Sequence, residues 1–328
     1  MSLTNVAVLR GGPSEEYDVS LETGAHVLSS LNRERYRPID IVITQHGEWL
    51  LHGRARTPYE AVAHADVVVN ALHGAYGEDG TVARLLERIG VPYTGSAAYP
   101  SALAMNKAIA KDHLRHHGIK LARHMVVGRS ALSDTAAMAR SIKALFGPEY
   151  VVKPIASGSS RGVYTADSEL ALAHALYEAL VRYEQVLVEE RIHGREATVG
   201  VIDGFRGVAR YALPPVEIAT KPGAVFDYET KYGDGSLERC PSSFPLPTIR
   251  ELERLAVRAH EVLGLRHYSR SDFMVARDGI YYLETNTLPG LTRASLFPKA
   301  LAAVGSSMPE FLDHILTHAR EGAAQPVR

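Results

Sequence analysis

Asp272, Glu284 and Asn286 are hard oxygen donors on two strand-like stretches, "SRSDFMVA" and "IYYLETN", joined by a turn at Gly279. If the stretches pair antiparallel, Asp272 comes beside Glu284 and Asn286; residues two apart on a strand, as Glu284 and Asn286 are, share a face. A donor set made of oxygens alone is what Mg²⁺ prefers. Polar residues also decorate ordinary hairpins. Here, however, Tyr281, Tyr282 and Leu283 make the stretch before Glu284 apolar, and a buried carboxylate needs a partner.

A second stretch with chemical potential is "VVKPIASGSSRGVY", residues 151–164. A β-branched run ends at Lys153 and Pro154 and gives way to small polar residues. Such a loop leaves its backbone N–H groups open to phosphate oxygens, with Lys153 as an added point charge. The spacing is not that of a P-loop, which needs Gly-Lys-Ser/Thr opening a helix. A flexible hairpin turn is the competing reading. A third stretch, "NTLPGLTRASLF" at 286–297, offers Gly290 for close backbone approach, Thr292 and Ser295 as short donors, and a following helix whose N-terminus suits a carboxylate. The plainer alternative is a strand-to-helix turn with a serine N-cap.

The elements that would hold these residues follow from periodicity. "NVAVL" at 5–9 reads as a strand running into Gly11–Gly12, followed by a helix starting near Ser14. "PIDIVIT" at 38–44 and "ADVVVNAL" at 65–72 read as further strands, the latter ending at His73–Gly74, and 79–89 reads as a helix. Strands alternating with helices predict a parallel α/β sheet, with ligands at the carboxyl ends of its strands. "SALAMNKAIAKDHLRHHG" reads as one helix ending at Gly118. "LARHMVVG", "EYVVKPI" and "QVLVEERI" predict a second sheet with a helix over 166–183, and "ATVGVID", "GVARYALPPVEI", "DFMVA" and "IYYLETN" a third. The stretch 219–245 has no clear period and reads as a long functional lid. The boundaries divide the chain into 1–95, 96–188 and 189–328.

Composition narrows the partners. Charged residues make up 22% and formal net charge is −1, which argues against a broad electrostatic footprint for nucleic acid or an anionic membrane. The single cysteine, Cys240, excludes an internal disulfide framework and a cysteine-rich zinc site, and favours a cytosolic setting. No apolar run approaches the ~18–20 residues that span a bilayer. "MSLTNVAVLRGG" lacks the basic start and apolar stretch of a signal peptide.

Taken in order, "GGPSEEYDVSLETG", "ALHGAYGEDGTVARLLERIGVPYTGS", "SALAMNKAIAKDHL", "VVKPIASGSSRGV", "VLVEERIHGREATVGVI", "FDYETKYGDGS" and "YLETNTLPGLTRASLFP" resemble the D-alanine–D-alanine ligases of the ATP-grasp superfamily over nearly the whole chain. The resemblance implies an α/β N-terminal parallel-sheet domain followed by a two-domain α+β ATP-grasp fold. It implies ATP-dependent formation of D-alanyl-D-alanine through an acylphosphate, for peptidoglycan precursors, in the bacterial cytoplasm. ATP and Mg²⁺ (or Mn²⁺), two ions, would be required, and a homodimer built through the N-terminal part is implied. By position, Glu16 would bind the first substrate's ammonium with His73 beside it, and Ser159 and Tyr232 would tie the loops to Glu16. Lys107, Lys153, Ser159, Ser160 and Lys231 would hold phosphates, Glu189 would lie in the nucleotide pocket and Glu196 would hold the ribose. Arg270 and the N–H of Gly290 would stabilise the tetrahedral oxyanion, Ser295 would bind the second substrate's carboxylate, and Asp272, Glu284 and Asn286 would carry the metal. Lys231–Tyr232 follows the dipeptide-forming lid pattern, which favours an amine nucleophile.

Some residues depart from the family's pattern: Tyr17 for a usual arginine, Ser157 for a usual glutamate, Arg161 for a small or apolar residue, and Arg293 beside the second-substrate loop. They leave open an ATP-grasp ligase that joins a different amino acid pair, possible in secondary metabolism. A catalytically silent nucleotide-binding protein is a further alternative, against which the Arg270, Asp272, Glu284 and Asn286 set stands.

Overall fold

The structure, a computed structural model, describes residues 3–156, 158, 162–220 and 236–323. In the N-terminal part, β1 (Thr4–Gly11), α1 (Tyr17–Ser30), β2 (Tyr36–Ile43), β3 (Trp49–Leu51), β4 (Arg54–Arg56), α2 (Pro58–Val62), β5 (Val67–Asn70) and α3 (Thr81–Ile89) follow in order. Their sheet runs β4-β3-β2-β1-β5, with β1 parallel to both β2 and β5. The apolar runs "VAVL" and "VVV" are buried on both faces, which explains why they lack alternation. The edge carries an addition to the expected parallel sheet: an antiparallel β3–β4 hairpin. Its two-residue turn holds His52 at φ 50° and Gly53 at φ 72°, the left-handed pair that such a turn demands.

The next segment differs from the single helix read from the sequence. It forms α4 (Ala98–Met105) and α5 (Lys107–Leu114), broken at Asn106. Asn106 has extended backbone (φ −85°, ψ 98°), and its side chain accepts from the Ile109 N–H at 3.1 Å, so it caps α5. The short strand β6 (Lys120–Leu121) follows. A second sheet is built from β7 (His124–Gly128), β8 (Tyr150–Pro154), β9 (Tyr164–Ala166) and β10 (Gln185–Glu190), in the order β7-β10-β8-β9. Helices α6 (Thr135–Leu145) and α7 (Glu169–Arg182) cover one face of it through Ile142, Leu172 and Leu176.

The third sheet comprises β11 (Arg195–Asp203), β12 (Arg210–Ala212), β13 (Val216–Thr220), β14 (Ser236–Arg239), β15 (Tyr268–Ala276) and β16 (Gly279–Asn286). It also takes in β6 beside β16, and α8 (Leu246–Val262) lies between β14 and β15 in the chain. Leu103, Ala110 and Leu114 of α4 and α5 share its core with Leu252 and Leu255 of α8. Two closing helices, α9 (Leu296–Ala303) and α10 (Met308–Ala323), join this sheet to the first one. Phe311 meets Phe297 and Tyr268 at ring-centroid distances of 5.3 Å each, and the same core reaches Val6, Val27 and Val67. Aromatic contacts of this kind contribute ~0.5–1.5 kcal/mol each beyond area burial, so they hold α9 and α10 on the C-terminal sheet, while α10 also packs against α1 and β5 of the N-terminal part.

Candidate active site

The β15–β16 hairpin forms as its alternation demands. Ser269, Ser271 and Phe273 face the core with no exposure, so Arg270 and Asp272 face the other way. Register sets Asp272 opposite Glu284 and Arg270 opposite Asn286, with an irregularity between Asp272 and Phe273. Arg270 grips Asp272 through both oxygens at 3.0 Å, and the Thr198 hydroxyl on β11 donates to Asp272 Oδ1 at 2.5 Å. Glu284 lies 3.1 Å from the Lys107 ammonium. Among the described residues no three His, Cys, Asp or Glu side chains gather as a metal site. The hairpin offers two carboxylates and one amide, all hard oxygen donors, and that set fits Mg²⁺. Glu196 lies two residues from Thr198 on β11, on the same face of the sheet as Asp272.

Lys107 reaches this place because of the helix break. As the first residue of α5 it donates its backbone N–H to Ile155 O at 3.0 Å, and its side chain is buried. Lys153, next to last in β8, stands opposite Leu187 of β10, so Glu189, two residues along β10, stands on the same face. The Lys153 ammonium is 2.5 Å from Glu189 Oε2, and Lys111 of α5 is 2.8 Å from Oε1. Burial alone would raise the Glu189 carboxyl; the two ammonium groups outweigh it and hold it down at about 2. Lys111 had no signal of its own in the sequence beyond standing one helical turn after Lys107.

The N-terminal sheet delivers the third group of residues. β1 runs into Gly11–Gly12, and Ser14 follows. Ser14 is not the helix cap: its hydroxyl donates to the His73 carbonyl at 2.7 Å and accepts from the Glu16 N–H at 3.2 Å, and Glu16 takes the N-cap position of α1. The Glu16 carboxylate packs between two glycines. A Cβ on either Gly74 or Gly158 would come within 2.6 Å of Glu16 Oε2. His73 is buried, with Nε2 2.8 Å from the Thr23 hydroxyl and Nδ1 3.0 Å from the Leu288 carbonyl, and burial draws its pKa down. Glu78 belongs to the same cluster and escaped sequence reasoning, because its partner Leu288 lies far along the chain. It accepts the N–H groups of Gly74 at 3.0 Å and Leu288 at 3.1 Å. Burial, then the nearby Glu16, push its carboxyl up to about 7.

The loop after β16 turns on Ser295. Its hydroxyl accepts from the Thr292 N–H at 3.1 Å and lies 2.8 Å from the Thr292 hydroxyl, while making no cap bond to α9. A Cβ on Gly290 would meet that hydroxyl at 2.9 Å, so glycine lets the loop close on Ser295. Gly74, Glu78, Lys107, Gly158, Glu284 and Asn286 line one cleft, which brings residues of all three sheets' surroundings together. Tyr17 packs beside Gly11, and Arg293 is exposed. Ser157, Ser159, Ser160, Arg161, Lys231 and Tyr232 lie outside the described residues.

A cleft between an α/β sheet and two further sheets, lined by Lys107, Glu78 and Glu284, defines the class as the ATP-grasp fold. Residues 5–60 and 52–96 match the family described as D-ala D-ala ligase N-terminus, and residues 114–317 match D-ala D-ala ligase C-terminus. A D-alanine--D-alanine ligase of Syntrophotalea carbinolica is 40% identical over 319 residues, covering 96% of this chain and 95% of that protein. Among solved structures, the D-alanine--D-alanine ligase of Bacillus anthracis complexed with ATP superposes with a TM-score of 0.80 at 29% identity, covering 98% of this chain and 99% of the other. The VanG D-Ala:D-Ser ligase of Enterococcus faecalis gives 0.84 at 27% identity, covering 97% and 100%. The chain belongs to the D-alanine–D-alanine ligase family.

Proposed function

We propose that this chain joins two D-alanines to D-alanyl-D-alanine at the expense of ATP, releasing ADP and phosphate, to supply peptidoglycan precursors in the cytoplasm. The observation that carries the reading is the meeting of Glu16, Lys107 and the Asp272–Glu284 hairpin around one cleft, in a chain of this family. The physical problem is crowded negative charge, since a carboxylate must approach a triphosphate. Lys107 and Lys153, with Lys231 and the 159–160 serines, hold phosphate oxygens; Glu189 and Glu196 serve the nucleoside end. Asp272, Glu284 and Asn286 would hold Mg²⁺ (or Mn²⁺), two ions, which when bound would neutralise phosphate oxygens.

Glu16 holds the first D-alanine's ammonium, with neutral His73 beside it and Ser159 and Tyr232 tying the loops to Glu16. Transfer of the γ-phosphoryl group to that substrate's carboxylate gives an acylphosphate. The second D-alanine, its carboxylate held at Ser295, attacks through its amine, and phosphate leaves. Arg270, aligned by its two contacts to Asp272, and the Gly290 N–H take the developing oxyanion. Removing one such donor typically costs ~10²–10³ in rate. We take 1–95, 96–188 and 189–328 as the functional units, with a homodimer formed through the first. The test is ADP release with Mg²⁺-ATP across D- and L-amino acids, singly and in pairs, with mass analysis of the products. D-alanine-dependent release with a product of D-alanyl-D-alanine mass is expected; activity only with another pair would overturn the substrate assignment.

A further inference from the structure

We propose that Lys111, which touches no substrate, is a positioning residue for ATP: it shares Glu189 with Lys153 and so leaves the pair a net positive charge for the nucleotide. The inference rests on the ATP reading above and adds to it a residue that the sequence did not single out.

The geometry is a single carboxylate shared between two ammonium groups. Glu189 Oε1 lies 2.8 Å from Lys111 and Oε2 2.5 Å from Lys153. Lys111 is 0% exposed, so no ligand in the cleft can reach it. Its remaining contacts are internal: it donates to the Tyr282 carbonyl at 3.1 Å and lies over the Tyr282 ring at 5.6 Å. The cluster of two lysines and one glutamate carries one net positive charge. Without Lys111 it would be neutral, and the Lys153 ammonium would be satisfied by Glu189 alone. In a dry site that difference is felt strongly by an anionic ligand. Burial draws the Lys111 pKa down, and the Glu189 carboxylate at 2.8 Å opposes that fall.

The contact also links two bodies of the protein beneath the cleft. Glu189 and Lys153 sit on adjacent strands of the central sheet, whereas α5 shares its core, through Ala110 and Leu114, with the C-terminal sheet. Lys111 therefore holds the nucleotide-facing end of the central sheet against the body that carries Asp272 and Glu284.

The test compares Lys111→Met, Lys111→Arg, Lys153→Met and the double variant Lys111→Met/Glu189→Gln. Steady-state kinetics are combined with binding of a non-hydrolysable ATP analogue and of adenosine. Lys111→Met should weaken the analogue about tenfold, the effect expected for losing one charge-assisted contact. The KM for D-alanine should stay within about twofold, and adenosine should be affected less than the analogue. Lys111→Arg should retain most of the affinity. The double variant, which restores the cluster's net charge and removes the uncompensated buried carboxylate, should recover the preference for the analogue over adenosine, a ratio in which any direct cost of Glu189→Gln at the nucleoside end cancels. Equal losses for adenosine and the analogue, or no loss in a folded Lys111→Met protein, would overturn the proposal. If Lys153→Met also leaves the analogue's affinity unchanged, the nucleotide reading of the whole cluster falls with it. If Lys153→Met abolishes binding and a folded Lys111→Met protein binds the analogue as wild type does, only the role of Lys111 is lost.

Discussion

Asp272 stands directly across the β15–β16 ladder from Glu284, and each carboxylate already meets a cation, Arg270 for the first and Lys107 for the second. Like charges opposite each other on neighbouring strands destabilise a sheet. The pairing is tolerated because the two cations come from different elements; on the proposed function the same oxygens would hold the metal. Glu284→Gln should keep the fold while replacing a charged carboxylate donor by a neutral amide oxygen and giving up the ion pair with Lys107. Loss of groups that merely orient a ligand costs 10–100-fold in metal affinity, so the Mg²⁺ needed for half-maximal turnover should rise by at least about 100-fold. Titrating turnover against Mg²⁺, with thermal unfolding as a control, checks this; an unchanged requirement would remove Glu284 from the ligand set.

Gly158→Ala tests the Glu16 assignment without touching Glu16. The added methyl would lie 2.6 Å from Glu16 Oε2, the far end of a flexible side chain, so the carboxylate moves rather than the fold. Stability should change by less than ~1 kcal/mol, as for most substitutions outside a core. The KM for the first D-alanine should rise about tenfold with ATP affinity kept, the loss expected when one charge-assisted contact is displaced. Glu16→Gln should move the same constant in the same direction. A selective loss of ATP affinity in either variant would place Glu16 elsewhere in the reaction.

Much of this site was legible because it lies on strands. The alternation in "YSRSDFMVA" and "IYYLETN" and the turn at Gly279 predict the antiparallel pair, but an unbroken ladder from that turn would set Asp272 opposite Leu283; the irregularity between Asp272 and Phe273, which no residue type announces, brings it opposite Glu284. The "VVK" run was enough to place a lysine near the end of a buried strand. What escaped depends on partners distant in the chain. Glu78 looks like one more loop carboxylate until Leu288 supplies its N–H, and Lys111 looks like a surface lysine until Glu189 meets it. The helical period of residues 101–118 also hid Asn106, because a capping side chain inside an apolar pattern costs little in periodicity yet redirects the chain. Likewise, Ser14 has the composition of an N-cap but spends its hydroxyl on the His73 carbonyl.

Glu78 gives the fold a specific pH dependence. Its carboxyl is raised from 4.5 to about 7, by burial first and by Glu16 second. A raised carboxyl means that the native state holds a proton the unfolded chain has released. Stability therefore falls as pH rises from about 4.5 to about 7, and levels off above that. The full shift corresponds to about 3 kcal/mol. Glu189, held down at about 2, acts below this window, with its stabilisation lost only as pH falls from about 4.5. Urea unfolding of wild type and Glu78→Gln at pH 5 and pH 8 isolates the effect: wild type should lose roughly 2–3 kcal/mol more than the variant between the two, since part of the shift is already spent at pH 5. Parallel profiles would show that Glu78 titrates normally.

Asn106 joins the fold to the nucleotide site, because the cap that starts α5 also aims Lys107. Asn106→Ala removes the bond to the Ile109 N–H, a loss that typically costs ~1 kcal/mol of stability. Alanine also favours continuing α4 straight into α5. A continuous helix would carry the Lys107 N–H away from the Ile155 carbonyl and the ammonium away from Glu284. The expected result is a modest loss in urea unfolding together with a rise of about tenfold or more in the KM for ATP, the equivalent of one lost charged contact, with D-alanine little affected. Asn106→Asp, which caps equally well, should keep both properties. A stability loss with the KM for ATP unchanged would mean that the break serves packing alone, and Lys107 would then need another explanation for its place against Glu284.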